Sequence, residues 1–91
     1  MDDADGLRDR RDMVQAMLLA ATHPHEVVGA CESAVGGREE AVANIAAAIG
    51  VSPFWAEIVA GMSVIHFTPD GVRRLQTELT DLQARLASMD E

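Results

Sequence analysis

Hydrophobic residues recur every three to four positions through most of this 91-residue chain, which is the period of amphipathic helices. From Leu7 to Ala21 the apolar side chains form one stripe, so a first helix is predicted there. Pro24 interrupts that stripe and suits the first turn of a second helix, predicted over His25 to Val35. The pair Gly36-Gly37 then ends the second helix.

Similar signals divide the rest of the chain. A third helix is predicted from Arg38 to Gly50, because it opens with two carboxylates, which are favourable at a helix N-terminus. Ser52-Pro53 predicts the start of a fourth helix, which we expect to run to about Ile65, since serine can cap free amides and proline loses no hydrogen bond there. Thr68-Pro69 repeats this signal and opens a fifth helix.

The fifth helix has the heptad pattern of a coiled coil. Its seam is too short to be stable alone, so it must pack on another helix, and the amphipathic first helix is the expected antiparallel partner. The predicted seam residues are Leu7, Val14 and Leu18 on the first helix and Val72, Leu75, Leu79, Leu82 and Leu86 on the fifth. We therefore predict one all-α domain over residues 1–91, in which the three middle helices form a compact head.

Composition adds a reason to expect a partner. The chain is 48% hydrophobic but only 3% aromatic, so its core must be built from Ala, Val, Leu, Ile and Met. A small domain with an alanine-rich core buries little apolar area per residue. We therefore expect a second chain to complete the burial.

The charge and the single cysteine limit the setting of the protein. A formal net charge of −8 disfavours binding to nucleic acid or anionic lipid. The apolar runs are shorter than the roughly 20 residues that span a bilayer, and the first residues are acidic where a signal peptide is basic. A cytoplasmic protein without a membrane segment is predicted. Cys31 is alone, so no internal disulfide can form.

No residue set predicts chemistry. His23, His25, Glu26 and Cys31 lie close in sequence, but their spacing does not place two ligands on one helix face. We expect the two histidines to be exposed in a turn and Cys31 to be a small buried hydrophobe. The serines have no glycine-flanked elbow. No enzyme activity, metal or cofactor is predicted.

The third and fourth helices could form a helix-turn-helix. Ile45 to Ser52, followed by Ala56 and Val59, has the small residues and glycine turn of two crossing helices. The second helix, from Pro53 to Met62, contains no Lys or Arg and one Glu, so DNA binding by this chain is disfavoured. A small acidic regulatory protein of this type is kept as the alternative function.

The motifs also follow one another in the order of a known family. The segments that match are Arg11 with Val14 and Leu18-Leu19, His25-Glu26-Val27-Val28, Arg38-Glu39-Glu40-Ala41, Gly50-Val51-Ser52, Ala56, Val59, Met62, Val64, Phe67-Thr68, and the last helix from Val72. Over residues 8–90 the chain resembles the exit gate, or C-gate, of the DNA gyrase A subunit and its topoisomerase IV counterpart. That resemblance implies a head at the end of a coiled coil that meets its two-fold mate. It implies no DNA cleavage, because the chain lacks tyrosine and the domain that carries the nucleophile.

The chain departs from this family at the tip of the head. Ile65 and His66 stand where the family has an arginine pair, so the tip is more apolar. Phe54 and Trp55 can act as interface anchors or fill the core of the head. The predicted dimer interface is Phe54, Trp55, Ile58, Met62, Val64, Ile65, His66 and Phe67, with Ile65 and Phe67 exposed in a lone subunit. The expected function is a non-catalytic homodimerisation module that can also bind or modulate a gyrase subunit.

Overall fold

The computed structural model describes residues 3–89, which form five α-helices, one short 3-10 helix and no strand. The elements are α1 (Asp3–Ala21), α2 (Pro24–Glu32), α3 (Arg38–Ile49), α4 (Pro53–Ala60), the 3-10 helix η1 (Val64–Phe67) and α5 (Pro69–Met89). The predicted all-α fold with five helices is confirmed.

The predicted helix breaks have identifiable local causes. Gly50 ends α3 in the left-handed conformation at φ +71°, which glycine adopts without steric cost. The Ser52 side chain then caps α4 by accepting a hydrogen bond from the Trp55 amide at 3.4 Å, and Pro53 fills the first turn. These two residues redirect the chain, so the axes of α3 and α4 are bent by 111°.

Three helix ends differ from the prediction. α1 begins at Asp3, because Asp3 and Asp5 favour the N-terminal turn. α2 stops at Glu32, where Ser33 bonds back to the Gly29 carbonyl through both its amide and its hydroxyl. α4 stops at Ala60, because the Gly61 amide turns back to the Ile58 carbonyl; the apolar residues after it form η1 and do not prolong the helix.

The first and last helices pack together, which confirms their predicted antiparallel pairing; α1 and α5 are called the arm below. Val14 and Ala21 of α1 form a buried cluster with Leu75 and Leu82 of α5. The other predicted seam residues lie at its margin, with Leu86 buried as well and with Leu7, Leu18, Val72 and Leu79 partly buried against the cluster. An ion pair between Arg10 and Glu78, at 2.6 Å, crosses between the two helices.

The middle helices form a separate cluster; residues 24–67 are called the head below. Its buried side chains are Val27 and Ala30 of α2, Val42 and Ile45 of α3, and Ala56 and Val59 of α4, together with Ala20 of α1. Three of these seven side chains are alanine, so the cluster is built in part from single methyl groups.

One methionine and two alanines join the head to the arm. Ala20 belongs to the head cluster and its neighbour Ala21 to the arm cluster, so the end of α1 serves both. Met62, in the turn after α4, packs against both clusters. The flexible thioether suits such an irregular junction.

The 3-10 helix lies tightly against the start of α5. The Thr68 hydroxyl donates to the Ile65 carbonyl at 2.8 Å and accepts from the Gly71 amide at 3.0 Å. A Cβ at Gly71 would lie 2.6 Å from the carbonyl oxygens of both Ile65 and His66. Only glycine therefore permits this approach of η1 to α5.

This contact predicts opposite effects for two glycine-to-alanine substitutions in helices. Gly71→Ala should destabilise the protein by about 1–3 kcal/mol, because the new methyl group meets backbone that must move. Gly6→Ala, on α1, meets nothing within 4 Å and should be neutral or stabilise by up to about 1 kcal/mol. Urea unfolding of both variants measures the two effects. Equal and small effects would contradict the close approach.

Candidate interaction surface

The exposed apolar side chains concentrate on the head. Within residues 3–89, the large hydrophobic side chains classed as exposed are Val28, Val35, Phe54, Val64 and Ile65 on the head and Met89 on α5. By contrast, the outer positions of α5 between the seam residues are polar or small. The arm therefore buries its apolar stripe internally, whereas the head leaves part of its own uncovered.

The two large aromatic residues of α4 separate into different environments. Phe54 is 67% exposed, while Trp55 is half-buried. Their rings meet edge to face with centroids 4.8 Å apart. Phe54 therefore does not fill the core of the head, which was one of the two roles that the sequence allowed for it. Its other role, as an interface anchor, stays a prediction.

The 3-10 helix presents two aliphatic side chains to solvent. Val64 is 81% exposed and Ile65 is 65% exposed. The next residue, His66, is half-buried, and its Nδ1 lies 3.1 Å from the Ser63 carbonyl oxygen. η1 carries Val64 and Ile65 outward because the chain turns at Gly61 and a helix does not continue through them.

The remaining predicted interface residues serve the fold as well. Met62 and Phe67 are partly buried against the core clusters, and Ile58 is half-buried. The expectation that Phe67 is exposed in a lone subunit is wrong, because Phe67 points back onto the arm cluster at the end of η1.

A shallow apolar groove lies between α2, α4 and η1 and has a volume of about 380 Å³. We call it the α2–α4 groove. Val27, Val59 and Met62 are among its lining residues, and Phe67 lines it from η1. The α2 side is completed by Val28, which is 54% exposed, by Cys31 and by Glu32.

Cys31 does not behave as expected. It is exposed in this groove, so the prediction of a buried cysteine is wrong: α2 turns Val27 and Ala30 toward α3, which leaves Cys31 on the open side. His23 and His25 are exposed, as expected. Within residues 3–89 no three His, Cys, Asp or Glu side chains come together as metal ligands would.

Every arginine of the chain is close to a carboxylate. The pairs are Arg8–Asp5, Arg10–Glu78, Arg11–Asp12, Arg38–Glu57, Arg73–Asp70, Arg74–Asp70 and Arg85–Asp81, with N–O distances of 2.6 to 3.3 Å. These exposed pairs contribute little stability individually. They do spread the positive charge over α1, α3 and α5, so no basic face forms.

Within residues 3–89 no single helix is both long and apolar enough to cross a membrane, although α3 and α4 taken together, as a bent pair, reach that length and composition.

Comparison of the chain with protein-family models, curated proteins and solved structures gave no match in any of the three.

The different surroundings of the two phenylalanines predict different costs of truncation. Phe54→Ala should change the free energy of unfolding by less than about 1 kcal/mol, because the ring is mostly in water. Phe67→Ala should cost about 2–3 kcal/mol, because its ring packs on the arm cluster. Urea unfolding in dilute solution, where self-association is suppressed, compares them. An equal loss for both variants would contradict these positions.

Proposed function

We propose that this chain is a non-catalytic homodimerisation module whose two heads meet, as the resemblance to the gyrase exit gate implies. The observation that carries the proposal is the placement of exposed apolar side chains. Phe54, Val64 and Ile65 protrude from the head, whereas the arm is covered by polar residues. Aromatic residues such as Phe54 are enriched in protein interfaces, and the core of an interface is more apolar than its rim.

The small size of the buried side chains supports the same proposal. Among residues 3–89, six of the 14 buried hydrophobic residues are alanine, and the largest fully buried side chains are Ile45 and Val14. The chain exposes 5731 Å². A folded monomer of this mass typically exposes about 5100 Å². The excess of roughly 600 Å² is comparable to the approximately 800 Å² that each partner buries in a standard interface.

Charge also favours the tip over other surfaces. The net charge of −8 would make two copies repel at most contacts. Residues 58–69 contain no Asp, Glu, Lys or Arg. The carboxylates that border this segment, Asp70 and Glu78 of α5, are each paired with an arginine, so two copies can meet there without opposing unpaired carboxylates.

Binding to a gyrase A subunit is the second part of the proposal and rests on the resemblance alone. A head that closes on its own mate could pair with a similar gate in place of that mate. Such pairing would occupy the gate without chemistry, because this chain contains no tyrosine. The cytoplasmic location expected from the sequence stays a prediction.

The proposed homodimer predicts that a single introduced carboxylate weakens self-association. Ile65→Asp should weaken self-association at least about tenfold, because a carboxylate would have to be desolvated in the contact. Val35→Asp is the matched control: Val35 is 95% exposed in the α2–α3 loop, outside the predicted interface, and should leave the dimer intact. Sedimentation velocity at micromolar concentrations measures both. A wild-type chain that remains monomeric would refute the proposal.

The angle between α3 and α4 is compatible with the alternative function, a helix-turn-helix regulator. Their bend of 111°, with three residues between them, lies within the range of that motif. A recognition role for α4 is disfavoured because the helix has no Lys or Arg and because its Glu57 pairs with Arg38 of α3 at 2.7 Å. Arginine from α3 is thus held by a carboxylate and is not free for phosphate.

A gel shift at low salt separates the two functions. Non-specific binding to duplex DNA is strongest at low salt, so even a weak DNA-binding protein should retard the duplex there. We expect no retardation at micromolar protein, with a basic DNA-binding protein of similar size as the positive control. A shift that disappears with added salt would favour the helix-turn-helix regulator.

A further inference from the structure

We infer that, in the homodimer, the α2–α4 groove of one copy receives Val64 and Ile65 of the other copy. The inference rests on the proposed function and specifies how the two heads meet. It assigns the groove to a second copy of this chain and not to a small ligand or an unrelated helix.

The groove is an unfilled apolar surface of suitable size. Its volume of about 380 Å³ is sufficient for a few aliphatic side chains, and its lining is mostly apolar. Val28 is 54% exposed at its edge, and the thiol of Cys31 lies beside it. An occupant that covers Val28 and Cys31 would therefore gain apolar burial without displacing any part of the fold.

Val64 and Ile65 are the complementary protrusion. They are the exposed aliphatic pair on η1, and Phe67 of the same short helix lines the groove. The protrusion and the groove are therefore neighbours on one surface. Two copies related by a two-fold axis can therefore each insert Val64 and Ile65 into the groove of the other copy. Both grooves are then filled in a closed dimer.

The charges of the two surfaces are compatible. Glu32 is the single formally charged residue among the described groove-lining residues. The opposing segment, residues 58–69, carries no formal charge and brings His66, whose imidazole can donate a hydrogen bond to a carboxylate. The α5 carboxylates beside Ile65 and His66, Asp70 and Glu78, are each paired with an arginine, so this surface brings no unpaired carboxylate to Glu32 in spite of the overall negative charge.

Cys31 is the only cysteine and reports directly on the groove. We expect its alkylation by iodoacetamide to be at least about tenfold slower in the wild-type dimer than in the same protein diluted until it is monomeric. The Ile65→Asp variant should react at the monomer rate at every concentration. Sedimentation velocity on the same samples gives the fraction of dimer at each point.

Two results would overturn the inference, and they differ. A dimer in which Cys31 reacts at the monomer rate would place the contact elsewhere and leave the homodimer standing. A chain that stays monomeric at all concentrations would remove the proposed function and the groove contact together.

A variant on the receiving side gives an independent test. Val28→Asp should weaken the dimer as Ile65→Asp does, whereas Val35→Asp, equally apolar before the change and also exposed, should not. Circular dichroism confirms that each variant is folded. If Val28→Asp does not fold, alkylation of wild-type Cys31 still decides the question. Unchanged dimerisation by folded Val28→Asp would contradict the inference.

Discussion

The packing of α1 against α5 brings together Val14, Leu75 and Leu82 from opposite ends of the chain, and the head depends on it. Both ends of the head connect to this arm, so the pairing of α1 with α5 closes the head into a loop. The apolar burial in the arm offsets the conformational entropy that is lost when this loop closes. Ala20 and Ala21 then extend the effect from one cluster into the other. Because η1 packs against the start of α5, the arm also positions Val64 and Ile65, and within residues 3–89 its own exposed large apolar side chain is Met89.

A core of small side chains stabilises a domain of this size weakly, and the same composition leaves larger apolar residues outside. In the head cluster, alanine supplies three of the seven buried side chains, while Phe54 and Ile65 lie mostly in solvent. The surplus of carboxylates over arginines keeps most of the surface charged, whereas residues 58–69 carry no formal charge.

The sequence predicts the architecture better than the surface. Leucine spacing on α5 and the proline signals at Pro53 and Pro69 have local physical causes, so the helices and the arm follow from them. The exposure of Cys31 and the partial burial of Phe67 depend on which way a short helix is turned by its neighbours. Apolar periodicity does not distinguish a residue that packs on its own core from one that faces outward on the next turn. It also does not distinguish a continued α-helix from the 3-10 helix that follows Gly61.

The close approach of η1 to α5 has a consequence for any encounter with a partner. Thr68 bonds to both elements, and Gly71 lets their backbones touch, so Val64 and Ile65 are held on a fixed support at the end of a long helix. Side chains that are already positioned lose less conformational freedom when they are captured. Preorganisation of this kind strengthens binding for a given contact area, because ordering these side chains costs the complex little free energy.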